Sequence, residues 1–171
     1  MASPTTTILG IDPGSTRAGY GLVSFDGNSF SFIDGGLVTV ASKNPHQRLV
    51  ELYKSFEVLL SAHTPDVVGV EKLYFVKNIK TGIEVAQARG VLLMCLQKKG
   101  VPIYEFTPSE IKQGLTGYGN ADKKAMETMV KKIITIPEEK TFRDDTYDAL
   151  GIAIVTAYVN KNSGQRLTVS G

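Results

Sequence analysis

The segment Thr5-Thr-Thr-Ile-Leu-Gly-Ile-Asp-Pro-Gly-Ser15 constrains the chain more than any other. Its β-branched and apolar residues predict a strand, and the strand ends on a carboxylate, Asp12. There Pro13 presets φ, and Gly14 is expected to supply the positive φ of a type II turn. An apolar strand that delivers an acid to a tight turn places that acid at the end of a sheet rather than in a core. Two further extended runs, Gly19 to Phe25 and Phe30 to Val40, flank the hairpin signal Asp26-Gly-Asn28 and predict a three-stranded meander.

Beyond the meander the apolar period changes. Leu49, Leu52, Tyr53, Phe56, Leu59 and Leu60 keep the spacing of an amphipathic helix over Pro45 to His63. Asp66-Val-Val-Gly-Val-Glu71 is apolar without alternation, as in a strand covered on both faces. A helix from about Lys80 to Lys99 ends at Gly100, and Val101 to Phe106 forms another strand. Short helices follow after Thr107-Pro108 and after Asp122, and a last one runs from Asp144 to about Tyr158. The order is an α/β domain with a mixed sheet flanked by helices, over residues 1–160, with a polar tail over 161–171. A length of 171 residues fits one such domain. One cysteine excludes an internal disulfide framework, and Cys95, among leucines, reads as a buried thiol. No apolar run is long enough for a membrane span, and the polar start lacks the apolar stretch of a signal peptide, so the cytoplasm is the expected compartment.

Four acids stand out. Asp12 and Glu71 end apolar strands, where open α/β sheets bind ligands; Asp145 and Asp148 lie three apart, on one face of the last helix. Gathered without cations, four carboxylates repel, and burial makes their charge costlier still. Divalent cations remove the conflict. All-oxygen ligands favour Mg²⁺, with Mn²⁺ as a substitute, and two ions per site can activate water and stabilise a leaving oxygen in phosphodiester hydrolysis. Asp144 and Asp148, four apart, form an alternative helical pair.

At these positions the chain resembles the bacterial RuvC family of Holliday junction resolvases. The residues are Ile8-Leu-Gly-Ile-Asp-Pro-Gly-Ser15, Gly19-Tyr-Gly21, Val70-Glu71, Lys77-Asn78, Gln87-Ala-Arg-Gly90, Ile111-Lys-Gln113 and Asp145-Thr-Tyr-Asp-Ala-Leu150, in order from Ile8 to about Tyr158. The resemblance implies an RNase H-like fold, a homodimer, and Mg²⁺-dependent paired nicking of four-way DNA junctions during recombination and repair. It makes Asp12, Glu71, Asp145 and Asp148 the metal-binding catalytic acids and places Lys112 and Lys123 near the scissile phosphate. It also implies a branch-migration motor as partner. Lys72 stands after Glu71, where a glutamine is commoner in the family.

The formal charge of +2 hides an asymmetry: Lys72 to Lys132 holds 11 basic and 5 acidic residues, while the remainder holds 8 and 12. The basic middle suits a polyanion. Lys77, Lys80 and Lys124 join Lys112 and Lys123 as candidate DNA contacts. Tyr74 and Phe75, directly after the Glu71 strand, are candidates for stacking on unpaired bases or for the core. Arg89 is placed to meet either a dimer partner or an internal acid. Two enzyme alternatives stand beside this reading. Gly10 to Thr16 resembles the phosphate loop of sugar kinases and actin-like ATPases, but those close nucleotide between two lobes and this length holds one. The other is an RNase H-like nuclease acting on RNA or replication intermediates. A binding-only junction protein is the non-enzyme alternative, disfavoured by four acids in place.

Overall fold

The computed structural model describes residues 5–73 and 79–167, with side chains through Ser163. Strands β1 (Thr6–Asp12), β2 (Arg17–Phe25) and β3 (Phe30–Thr39) form the antiparallel meander. Then come α1 (Pro45–His63), β4 (Val67–Glu71), α2 (Ile79–Lys98), β5 (Ile103–Phe106), α3 (Pro108–Thr116), α4 (Lys123–Ile133) and α5 (Asp144–Leu167). The sheet order is β3-β2-β1-β4-β5, with β4 parallel to both β1 and β5.

Helices cover both faces. Leu52, Phe56 and Leu60 of α1 and Leu92, Cys95 and Leu96 of α2 pack on Leu9, Ile11, Val68 and Val70. On the other face Leu150, Ile152 and Ile154 of α5 and Met126 and Val130 of α4 pack with Ile8, Val23 and Val67. Each such apolar side chain taken from water contributes roughly 1.5–3 kcal/mol. The two-residue period of a strand then settles where the acids point. Ile8, Gly10 and Asp12 share the α5 face of β1, and Val67, Gly69 and Glu71 share the α5 face of β4.

Close approach of α5 depends on Gly19, where a Cβ would stand 2.1 Å from the backbone oxygen of Asp145. Without that space the first turn of α5 would be pushed off β2.

Two local expectations differ from the structure. Among the described glycines positive φ is found at Gly27, Gly100 and Gly117 and not at Gly14, so the turn after Asp12 is not type II. Glycine is required there for space: a Cβ on Gly14 would lie 2.1 Å from the Arg17 carbonyl oxygen. The last helix also continues past Tyr158 to Leu167, through part of the expected polar tail. Apolar spacing ends near Tyr158, but a helix already anchored by its buried half extends at one backbone hydrogen bond per residue. Tyr104 donates to Asn160 Oδ1 (3.2 Å) and Lys161 Nζ to the Gly27 carbonyl (2.6 Å), which tie this extension to the body.

Candidate active site

The site lies beyond the carboxyl ends of β1 and β4, under the first turns of α5. Ile11 pairs with Val70 in the parallel ladder, so the next residues, Asp12 and Glu71, are neighbours on the same sheet face. Their carboxyls share a hydrogen bond. Burial first, then Glu71, Asp148 and Asp145, push Asp12 up to about 9. Burial also raises Glu71, against the Asp12 hydrogen bond and the charges of Lys112 and Lys123. Asp148 is raised by burial and by Asp145 and Asp144, while Lys123 and Lys112 pull it down. Burial and like-charge neighbours thus favour the neutral form of Asp12, with Glu71 as its hydrogen-bond partner.

Cations come from the opposite wall. The capping box of α3, in which Thr107 and Glu110 satisfy each other's backbone, directs that helix across the sheet end and carries half-buried Lys112 into the site. Asp122 caps α4 and sets Lys123 at its first turn. Lys123 Nζ stands 3.7 Å from Asp144 Oδ2 and 3.8 Å from Asp148 Oδ2. Glu71, Lys112, Lys123 and Asp148 line a cavity of about 180 Å³ together with the apolar Ile111, Met126 and Ile152.

The two helical acids separate. Asp145 faces Asp12 electrically and is bound by Arg17, whose Nε donates to Oδ2 at 2.6 Å; Asp144 is 70% exposed and pairs with Lys123. Arg89 meets an internal acid: it donates from Nε to the Glu71 carbonyl at 3.0 Å and from Nη2 to Glu105. It thereby clamps the end of β4 to β5. Lys72 is exposed, and its charge acts on Glu110 at the start of α3, lowering that carboxyl after the stronger effect of Thr107. Lys80 and Lys124 are exposed on α2 and α4. Tyr74, Phe75 and Lys77 lie outside the described residues. Arg17 was not singled out by sequence; it stands two residues past Ser15, in no motif that marks it.

The donor set fits divalent metal. It is all carboxylate oxygen, and the upward push on Asp12 from burial and its acid neighbours is that of a cluster short of positive charge. Among the described residues no three acid, histidine or cysteine side chains are gathered closely enough to hold an ion as they stand. Arg17 pairs with Asp145, and Lys123 is within 4 Å of both Asp144 and Asp148.

The family profile described as "Crossover junction endodeoxyribonuclease RuvC" matches residues 8–156. The chain belongs to the RuvC family. A RuvC relative from Clostridioides difficile (strain 630), a crossover junction endodeoxyribonuclease, is 43% identical over 155 residues, covering 90% of this chain and 91% of the relative. A solved structure of T. thermophilus RuvC in complex with Holliday junction substrate is 29% identical, with a TM-score of 0.84, covering 92% of this chain and 96% of that one. The yeast mitochondrial Holliday junction resolvase Ydc2, at 15% identity and a TM-score of 0.62 over 98% of this chain and 88% of its own, shares the fold. The five-stranded mixed sheet with its flanking helices is thus the RNase H-like RuvC fold.

Proposed function

We propose that this RuvC-family chain is an endodeoxyribonuclease that resolves four-way DNA junctions by paired hydrolytic nicks on symmetric strands, in recombination and repair. The observation that carries the reading is the meeting of Asp12 and Glu71 on adjacent strand ends, facing Asp148, Lys112 and Lys123. Phosphodiester hydrolysis needs a deprotonated water and a stabilised leaving oxygen, and two Mg²⁺ ions, or Mn²⁺ in their place, would supply both when bound by Asp12, Glu71, Asp145 and Asp148. The chain's own part is to hold those carboxylates on rigid elements and to bring Lys112 and Lys123 to the phosphate.

Tyr74, Phe75, Lys77, Lys80 and Lys124 extend the DNA contact outward. A homodimer supplies the second cut. It is supported by an exposed stripe on α2, where Ile79 is 77% exposed, Ile83 55% and Met94 48%, with open space over Gly90. A branch-migration motor is the partner proposed from the family resemblance, with the cytoplasm as the proposed compartment. No helix among the described residues is long and apolar enough to cross a membrane.

The deciding experiment incubates the protein with a four-way junction, a linear duplex and an RNA–DNA hybrid, each with Mg²⁺ and with EDTA. Symmetric nicks in the junction alone, lost in EDTA, are expected. Equal cutting of duplex or hybrid, or cutting in EDTA, overturns the assignment.

A further inference from the structure

We propose that Arg17 is a built-in counter-cation of the acid cluster, which a divalent ion must displace from Asp145 to complete the site. The inference rests on the metal-binding reading above. Arg17 Nε reaches Asp145 Oδ2 at 2.6 Å, a short charge-assisted contact between residues 128 positions apart. The fold brings them together: Arg17 opens β2, pairing with Thr39, and Asp145 sits in the first turn of α5 where that helix settles over Gly19.

The two partners are anchored unequally. The Arg17 side chain is 47% exposed, that of Asp145 22%. The Arg17 backbone is held in the β2–β3 ladder opposite Thr39. The guanidinium is therefore free to swing into solvent on its own side chain, while Asp145 stays where α5 puts it. A guanidinium keeps its charge at every pH a protein survives, so it is a standing competitor for the oxygen it covers. Lys123 does not duplicate this role, since it lies on Asp144 and Asp148. Arg17 acts through Asp145 and is a positioning residue: it steadies the ion-free cluster and weakens the binding of the first ion to arrive.

The test titrates Mn²⁺ into the whole protein without DNA, by calorimetry and by electron paramagnetic resonance of free Mn²⁺. It compares the parent with Arg17→Ala, Arg17→Gln and Arg17→Lys, each checked for folding by circular dichroism. Arg17→Ala and Arg17→Gln should bind Mn²⁺ about two- to five-fold more tightly, the range set by a partly exposed ion pair. Arg17→Lys should fall between them and the parent. In an Asp145→Asn background the gain from Arg17→Ala should disappear. Unchanged or weaker Mn²⁺ binding by Arg17→Ala and Arg17→Gln overturns the inference, as does an equal gain in the Asp145→Asn background. If the parent and all three variants bind no Mn²⁺, the metal reading itself fails and the inference falls with it.

Discussion

Asp12 and Glu71 sit side by side one residue past the Ile11–Val70 pair of the β1–β4 ladder and share a hydrogen bond. Two acids from strands 59 positions apart are thereby held by the backbone itself, the most rigid support the fold has. That rigidity has an electrostatic cost, the upward push on Asp12 from burial and from Glu71.

The sign of that cost is testable. Because Asp12 is raised from 3.8 to about 9, the folded chain holds a proton that the unfolded chain releases, and stability falls as pH climbs through this window. Asp12→Asn has no such loss. Without divalent ions it should melt above the parent at pH 8, by about 1–2 kcal/mol or roughly 2–8 °C, with the gap closing toward pH 4. The same variant should bind the junction and not cut it. Thermal melts across pH, with a gel assay for binding and cleavage, check both; a variant that cuts like the parent removes Asp12 from the catalytic set.

Lys123 lowers Asp148 and Glu71, and Lys112 does the same. Replacing Lys123 with Ala makes both carboxylates harder to ionise. The acid limb of the cleavage pH profile should therefore move to higher pH, and turnover at pH 7 should fall by about tenfold or more if Lys123 also serves the phosphate. Single-turnover rates from pH 5.5 to 9 measure this. An acid limb that stays in place would separate Lys123 from the carboxylates.

Arg89 bridges two acceptors, the Glu71 carbonyl and the Glu105 carboxylate, from one planar group. Lysine cannot reproduce that fork. Arg89→Lys and Arg89→Ala should both lower kcat, with a loss of about 1–3 kcal/mol in urea unfolding for a hydrogen bond involving a charged group. Full recovery of kcat by Arg89→Lys would show that charge alone suffices.

The α2 stripe predicts the dimer. Ile83→Glu places a charge where an apolar side chain is 55% exposed, so the monomer should fold with unchanged stability. Sedimentation should shift from dimer to monomer, and paired junction cuts should give way to single nicks. A parent that is monomeric at assay concentration would refute the dimer.

Element types and order were legible along the chain because hydrophobic period is local. The helix from Pro45 to His63 and the strand ending at Glu71 are found where their spacing put them. The strand-end acids were legible for the same reason: a carboxylate closing an apolar run marks a sheet end. Gly14 was misread since glycine at a turn signals either positive φ or lack of space, and the deciding atom, the Arg17 carbonyl oxygen, belongs to the folded backbone.

Local pattern thus specified the strands, the helices and which acids close apolar runs, since each depends on neighbours within a few residues. Which charges meet was left to the packing of α5 over β1 and β2. That packing joins Arg17 to Asp145, and the neighbouring helices set Arg89 on the end of β4 and Lys123 between Asp144 and Asp148. Ion pairs of this kind have no period along the chain: they depend on distances across the core, which exist only once the two faces of the sheet are covered.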